Sequence, residues 1–379
     1  MFKRDLPFTM EEYQSRVDKV RAAMAERGLD VLLLVSPVNC NYLTGSLKGV
    51  EYSILPLHGE LTTFSWELEM PLVMFSSWIE DTTMYRTGED PLAVLRRVLD
   101  ERGLLGGTVG IECDTPYMSV DSYHKLLETF EGVEVVDGSG IIGELIRIKS
   151  PQEIAYIGRA GKLSGIAMGA AVDAAEAGAT DAEVAAAGHQ AAIAAGSETL
   201  AGQPIVTIGP RSGIAHTRHM RHVIEPGDPV WIELTGTYHR YSAPIMRTVF
   251  IGSPPEGAQA LADASMACLE KVLATMRPGI TAHEVAKAGA AELPLDDPEI
   301  GFHDTYGYSI GLGFDGWADH PEWKIKLGDP TVLETGMVFH VTMGLRRNFK
   351  YGAVCSETAT ITEDGCEVLT DFPRQYFYK

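Results

Sequence analysis

The hydrophobic pattern in the first part of the chain switches repeatedly between a helical and a strand period. Apolar residues recur every three or four positions from Tyr13 to Met24, which predicts an amphipathic helix over residues 9–28. The continuous apolar run at 31–35 predicts a buried parallel strand, and the segment TVGIE at 108–112 predicts another buried strand. The remaining predicted elements are strands at 62–65, 72–75 and 133–136 and helices at 91–103 and 118–130. Helices that alternate with strands indicate an α/β domain with a mostly parallel sheet.

The pattern changes near residue 148. Ser150, Pro151 and Glu153 have the form of a helix cap, a first-turn proline and a capping-box acid. Strands are no longer evenly interleaved with helices, which favours an α+β domain with a mixed or antiparallel sheet. We therefore predict two domains, 1–148 and 149–379. The elements predicted in the second are helices at 152–176, 181–195, 256–276 and 281–291 and strands around 205 and at 230–236, 245–251, 338–345 and 355–362.

Composition narrows the class of protein. The chain has 379 residues, of which 45% are hydrophobic and 22% charged, as in folded globular proteins. A net charge of −21 repels nucleic acids and anionic membranes, so neither is an expected partner. No apolar run reaches the length of a signal peptide or a membrane span. Five cysteines without a CxxC motif indicate a reducing compartment, and we expect a cytoplasmic enzyme with a small-molecule substrate.

Seven segments of the second domain point to a known family by their order and spacing. They are RIKSPQEIAYI (147–157), IAHTRH (214–219), PGDPVWIELTG (226–236), YSAPIMRTVFIG (241–252), GYSIGL (307–312), LETGMVFHV (333–341) and SETATITEDG (356–365). Together they resemble the creatinase, aminopeptidase P and prolidase superfamily, and the first domain resembles that superfamily's small domain. The resemblance implies a creatinase-type α/β N-terminal domain, an α+β pita-bread C-terminal domain and a homodimer.

The metal ligands of the peptidase members are absent at the matching positions. Two Asp, one His and two Glu hold two metal ions in those members. By the resemblance, these positions fall at Glu233, Pro244, Tyr308, Thr342 and Ser356. Glu233 alone among the five is a carboxylate, and proline has no side-chain ligand atom. The resemblance therefore implies a site with no metal ion and no cofactor.

Two branches of the superfamily, the creatinases and the ectoine hydrolases, work without metal, and this sequence matches their residue patterns to different degrees. The glutamates of the creatinases fall at Met246 and Thr342, which is a clear departure. The strand pair 233–252 and the ending 336–369 both resemble the ectoine hydrolases. The resemblance implies a metal-independent hydrolase of a non-peptide C–N bond that opens a small cyclic amidine to an N-acetyl-diaminobutyrate. Three alternatives remain open: a creatine or guanidino-compound amidinohydrolase, a metal-dependent Xaa-Pro peptidase, and a non-catalytic binding module.

Four residues are candidates for catalysis. His216 lies seventeen residues before Glu233, as the proton-shuttling histidine does in creatinase, and imidazole exchanges protons near neutral pH. Glu233 lies in an apolar predicted strand, where a buried carboxylate needs a cationic partner or a raised pKa, and it could act as a nucleophile or a base. Tyr308 can donate to a tetrahedral oxyanion, and Glu357 is a second carboxylate. The alternatives are structural: a backbone-bonded His216, a Glu233–Arg247 ion pair, a cavity-filling Tyr308, and a Glu357 ion pair with a neighbouring strand.

Five further residues are candidates for substrate binding. Arg218 lies in a basic loop and can hold a carboxylate through two hydrogen bonds, and Arg247 is a second candidate. Trp317 can stack on a planar cation, although ordinary packing is the alternative. Thr342 and His340 lie on one predicted strand and complete the set.

Overall fold

The computed structural model describes residues 4, 6–198, 202–314, 316–319 and 323–379. The chain divides into two compact units, Met1–Ile146 and Arg147–Lys379, and the boundary lies close to the one predicted at residue 148. None of the helices within the described ranges is long and apolar enough to cross a membrane.

The helices of the first unit are α1 Met10–Glu26, α2 Pro37–Thr44, α3 Met70–Ser76, α4 Pro91–Glu101, α5 Val120–Thr129 and α6 Ile141–Ile146, and its strands are β1 Val31–Leu34, β2 Val50–Pro56, β3 Thr62–Trp66, β4 Thr82–Tyr85, β5 Thr108–Ile111 and β6 Glu134–Asp137. These strands form a six-stranded sheet in the order β4-β3-β2-β1-β5-β6. The pairs β1–β5, β5–β6 and β3–β4 are parallel, whereas β2 runs antiparallel to both of its neighbours, so the sheet is more mixed than predicted.

The strand predicted at 72–75 is wrong, because these residues lie in α3. Pro71 occupies the first turn of that helix, where its missing N–H carries no penalty. Val73 is buried while Met74 and Phe75 are exposed, so a short apolar run has one buried helical face. Periodicity alone does not separate a strand from a helix over so few residues. The pattern also did not predict α2, α6, β2 or β4.

The α-helices described in the second unit are α7 Pro151–Ala174, α8 Asp181–Ala194, α9 Ala258–Thr275 and α10 Ala282–Ala290, and the strands are β7 Ile205–Ile208, β8 Pro229–Tyr238, β9 Tyr241–Phe250, β10 Ile300–Gly301, β11 Gly307–Ser309, β12 Lys324–Ile325, β13 Val338–Arg347, β14 Tyr351–Ile361, β15 Cys366–Val368 and β16 Phe377–Tyr378. The predicted capping box is present, since Ser150 and Glu153 each accept the other's backbone N–H. One sheet has the order β12-β11-β13-β14-β15, with β10 also paired to β13, and the other has the order β16-β9-β8-β7. The strand pairs are antiparallel except β9–β16, which is parallel, so the second of these sheets is mixed.

Strand register decides which side chains of this unit share a face. Glu233 on β8 pairs with Met246 on β9, and Thr342 on β13 pairs with Ser356 on β14. Side chains of directly opposed residues point to the same side of an antiparallel sheet, and successive residues point to opposite sides. Arg247, one residue after Met246, therefore points away from the side that Glu233 occupies.

Candidate active site

The second unit contains a cavity of about 490 Å³, a volume suited to a small molecule. Its lining draws on strands β8, β9, β11 and β13 and on the loops that follow β7 and β11. Six of the nine residues proposed from the sequence border it: His216, Arg218, Glu233, Tyr308, Trp317 and Thr342. The other three, Arg247, His340 and Glu357, do not.

Glu233 is the buried acid of this cavity. Its side chain shares one face of β8 with Trp231, as alternation along the strand predicts, and the residue is 5% exposed. Burial raises the pKa of Glu233 to about 8, and the nearby positive charge of Arg346 opposes that rise without cancelling it. A carboxyl group with such a pKa exchanges protons near neutral pH, which is the property of a general base or an activated nucleophile.

Arg346 is a second charged residue of the cavity, and the sequence argument missed it. Its guanidinium lies 4.2 Å from the centre of the Trp231 ring, and its Nε is buried without a hydrogen-bond partner. Burial lowers its pKa to about 10, while Glu233 acts in the opposite direction. No ion pair within 4.0 Å joins it to Glu233 or to another acid of the described residues. Counting alternate residues along β13 from His340 would have placed Arg346 on the cavity face.

A glycine allows the aromatic ring and the cation to approach each other. Gly344 lies between Thr342 and Arg346 on the cavity face of β13, and an added Cβ there would lie 2.5 Å from the Trp231 ring. That separation is shorter than real carbon contacts. The absent side chain therefore lets Trp231 lie across the strand, where Arg346 stacks on it.

Tyr308 takes part in a chain of short hydrogen bonds. Its hydroxyl accepts from the indole N–H of Trp317 at 2.6 Å and lies 2.7 Å from Nδ1 of His340. On the other side of the imidazole, Nε2 lies 2.7 Å from Oγ of Ser356, which accepts from the backbone N–H of Met246 at 2.7 Å. Burial, followed by the charge of Glu233, raises the pKa of Tyr308 well above its usual value, so the phenol remains protonated.

Basic residues surround the mouth of the cavity. His216 is exposed and has a left-handed backbone with φ of 59°, an uncommon conformation for a residue with a side chain. Arg218 is also exposed and donates to Gln203 at 2.9 Å. Lys324 and His303 border the same space, and burial lowers the pKa of His303 to about 4. The structural alternative for His216, burial against the backbone, is wrong because the residue is exposed.

Glu357 and Arg247 bind each other instead of lining the cavity, which corrects both proposals. Arg247 is fully buried, and its Nη2 lies 2.8 Å from Oε1 of Glu357. Arg374 and Thr370 also bind this carboxylate. The predicted alternative for Glu357 is therefore the one found, whereas Arg247 pairs with Glu357 rather than Glu233. The reason is strand alternation, because Arg247 points to the opposite side of β9 from Met246.

His340 is likewise corrected from a substrate contact to an internal link. It is 0% exposed, and burial lowers its pKa to about 3. Because His340 is the register partner of Tyr308, both rings lie on one side of the sheet and their hydrogen bond follows. Thr342, by contrast, borders the cavity, and its hydroxyl lies 3.2 Å from the sulfur of Met246.

The donor set at the five matching positions does not fit a pair of divalent ions. Glu233 is the one carboxylate, Pro244 has no side-chain donor, and the hydroxyls of Tyr308 and Ser356 are engaged in hydrogen bonds. In the part of the chain that the structure describes, no three His, Cys, Asp or Glu side chains are grouped as a metal site requires.

Comparison with known proteins gives consistent matches over both units. The metallopeptidase family M24 model matches residues 155–363, and the creatinase/prolidase N-terminal domain model matches 16–147. An ectoine hydrolase from Halomonas elongata is 30% identical over 100% of both chains. A Xaa-Pro dipeptidase from Pyrococcus furiosus is 28% identical over 96% of this chain and 99% of its own.

Solved structures agree on the fold. A Xaa-Pro dipeptidase from Bacillus anthracis superposes with a TM-score of 0.86 at 20% identity, covering 97% of this chain and 100% of its own. The prolidase from Pyrococcus horikoshii gives 0.83 at 25% identity, with 95% and 99% covered. These matches confirm the predicted creatinase-type and pita-bread architecture.

Proposed function

The chain belongs to metallopeptidase family M24, a family of hydrolases, and on that premise we propose that it hydrolyses a non-peptide C–N bond of a small cyclic amidine without a metal ion. The observation that carries this proposal is Glu233, a buried carboxyl with a pKa raised to about 8 in a cavity whose donor set does not suit two ions. The full-length similarity to an ectoine hydrolase supports the same substrate class.

The charges of the cavity favour a substrate with two opposite ends. A cationic amidinium beside Glu233 would stabilise the ionised carboxylate that burial disfavours. A carboxylate on the same molecule would pair with the Arg346 guanidinium and accept a hydrogen bond from its Nε, which has no partner. Arg218 and Lys324 also border the cavity and add positive charge to it, in a chain whose net charge is −21. The ring of Trp231 also borders the cavity, with the Arg346 guanidinium stacked over it.

Glu233 carries the proton transfers of the proposed reaction. The ionised carboxylate accepts a proton from water as the water oxygen adds to the amidinium carbon. The protonated Glu233 then returns that proton to the departing nitrogen as the C–N bond breaks. The remaining hydroxyl proton passes to the amine as the carbonyl forms. Amidinium and water thus become amide and ammonium, with atoms and charge balanced.

A substrate screen with chelator-treated protein tests this proposal. Ectoine, 5-hydroxyectoine, creatine and proline dipeptides are incubated with the treated protein, and products are identified by mass. We expect the cyclic amidines to gain the mass of one water molecule and Glu233→Gln to abolish this gain. Glu363→Gln, at an exposed turn, serves as the matched control and should retain full activity.

Two results would contradict the proposal. Cleavage of proline dipeptides that requires added divalent ions would instead support a peptidase, as the Xaa-Pro dipeptidase relatives suggest. Turnover of creatine alone would move the substrate class to guanidino compounds, which Met246 and Thr342 disfavour because neither side chain can pair with a guanidinium as a glutamate does.

A further inference from the structure

In the hydrogen-bond chain around Tyr308, two groups at the ends can only donate, and they determine which of the inner groups donate and which accept. At one end is the backbone N–H of Met246, and at the other is the indole N–H of Trp317. Neither group can act as an acceptor. Between them lie one hydroxyl, one imidazole and one phenol, each of which can be oriented in more than one way. The fixed ends restrict those orientations.

The Ser356 end determines the tautomer of His340. Oγ of Ser356 already accepts from the Met246 amide, and the residue is fully buried. Among the residues described, the acceptor within reach of the Ser356 hydroxyl proton is Nε2 of His340. Were Nε2 protonated instead, the serine proton would be buried without a partner, which is unfavourable for a polar group removed from water. The neutral imidazole therefore carries its single proton on Nδ1.

The Tyr308 end then follows. With the proton on Nδ1, His340 donates to the phenol oxygen, which also accepts from Trp317. An oxygen that accepts two hydrogen bonds must direct its own proton elsewhere, and Tyr308 borders the cavity together with Glu233. Both side chains border the same cavity and no hydrogen bond joins them, so the phenol proton is available to a group bound in that cavity.

We infer that Tyr308 is a catalytic residue that donates a hydrogen bond into the cavity, and that His340 and Ser356 are positioning residues that hold it in the donor state. This inference rests on the proposed function for the identity of the acceptor, which is the substrate-derived oxygen that forms as water adds. No proton leaves the phenol, consistent with its strongly raised pKa.

The loop that carries Trp317 is itself anchored. Nζ of Lys149 forms an ion pair at 2.7 Å with Asp319, two residues after Trp317, and both side chains are almost fully buried. Lys149 also lies 3.1 Å from Oγ of Ser309, the residue after Tyr308. One buried lysine thus connects the segments of the donor indole and of the phenol, which keeps their 2.6 Å hydrogen bond in place.

The tautomer can be measured without any substrate. In protein labelled with ¹⁵N at histidine, ¹⁵N–¹H correlation identifies which ring nitrogen of His340 carries the proton, and the signal is assigned by its loss in His340→Gln. We expect a protonated Nδ1 and an unprotonated Nε2. A proton on Nε2 would overturn the inference. Nδ1 protonation together with failure of every amidine substrate would sink the proposed function and leave the donor assignment intact.

A matched pair of substitutions tests the same assignment by activity. The amide nitrogen of His340→Asn occupies the place of Nδ1 and can still donate to Tyr308, whereas that of His340→Gln occupies the place of Nε2 and cannot. We expect His340→Gln and Tyr308→Phe to lower kcat roughly 100- to 1,000-fold with little change in KM, the loss typical of a missing oxyanion donor. His340→Asn should recover much of that loss. Equal kcat for the two His340 variants with unchanged melting temperatures, or an undiminished kcat in Tyr308→Phe, would contradict the assignment.

Discussion

Replacing Glu233 by glutamine should stabilise the protein, and increasingly so as pH rises. The pKa of Glu233 is about 8 in the folded protein against 4.5 ordinarily, because burial disfavours its charged form. Between these values the unfolded chain loses the proton while the folded chain keeps it. The free energy of unfolding of the natural protein therefore falls with rising pH over this window. Glutamine cannot ionise, so the variant lacks this loss.

The magnitude follows from the two pKa values. Each unit of difference corresponds to about 1.4 kcal/mol. The gain in the free energy of unfolding from Glu233→Gln should accordingly be close to zero near pH 4.5, about 3 kcal/mol at pH 7 and about 5 kcal/mol above pH 8. Arg346, whose pKa is about 10, stays charged throughout and adds an offset that does not vary over this range.

Urea unfolding followed by tryptophan fluorescence at several pH values from 5 to 8.5 measures this slope. A difference between the variant and the natural protein that does not change with pH would refute the assigned pKa and, with it, the argument for Glu233 as the base. Glu357→Gln is the matched control, because the same change at an equally buried acid should destabilise the protein by about 3–5 kcal/mol. It leaves the fully buried Arg247 without its counter-charge.

Three further predictions follow from the cavity. For a cationic amidine, kcat/KM should rise with pH through about 8, the pKa of Glu233 in the free enzyme, because a base or nucleophile acts in its ionised form. A pH–rate profile that falls through this range would contradict the prediction. Arg346→Gln should lower kcat/KM roughly 10- to 100-fold for substrates with a carboxylate, because a charged hydrogen bond is lost. Arg218→Gln, at an exposed residue, should have a smaller effect. Equal losses in steady-state assays would contradict the assignment of Arg346 to the substrate carboxylate. Gly344→Ala should lower stability by about 1–3 kcal/mol, because its Cβ would lie 2.5 Å from Trp231, and an unchanged melting temperature would show that the ring can move aside.

The candidate site was only partly predictable from the sequence. Alternation along β8 correctly placed Glu233 with Trp231, whereas its apolar neighbours left a cationic partner and a raised pKa as alternatives, of which the structure gives the raised pKa. Arg346 was missed because an arginine near the end of a strand looks like an ordinary surface residue until Trp231 is known to lie beneath it. Arg247 was expected near Glu233. In the strand pairing, Glu233 lies opposite Met246 instead, so Arg247 points to the other side of the sheet and binds Glu357.

By itself, the sequence determined the helices with strong caps, the buried strands, the position of the change between two fold types, and the absence of a carboxylate or an imidazole at Pro244, Thr342 and Ser356. These properties reside in local spacing and in side-chain type, both of which can be read along one chain. The tertiary structure alone decided that Arg346 faces Glu233 without an ion pair and that His340 links Tyr308 to Ser356. Such contacts depend on strand register and on which buried groups find partners, and those are set only when distant segments pack together.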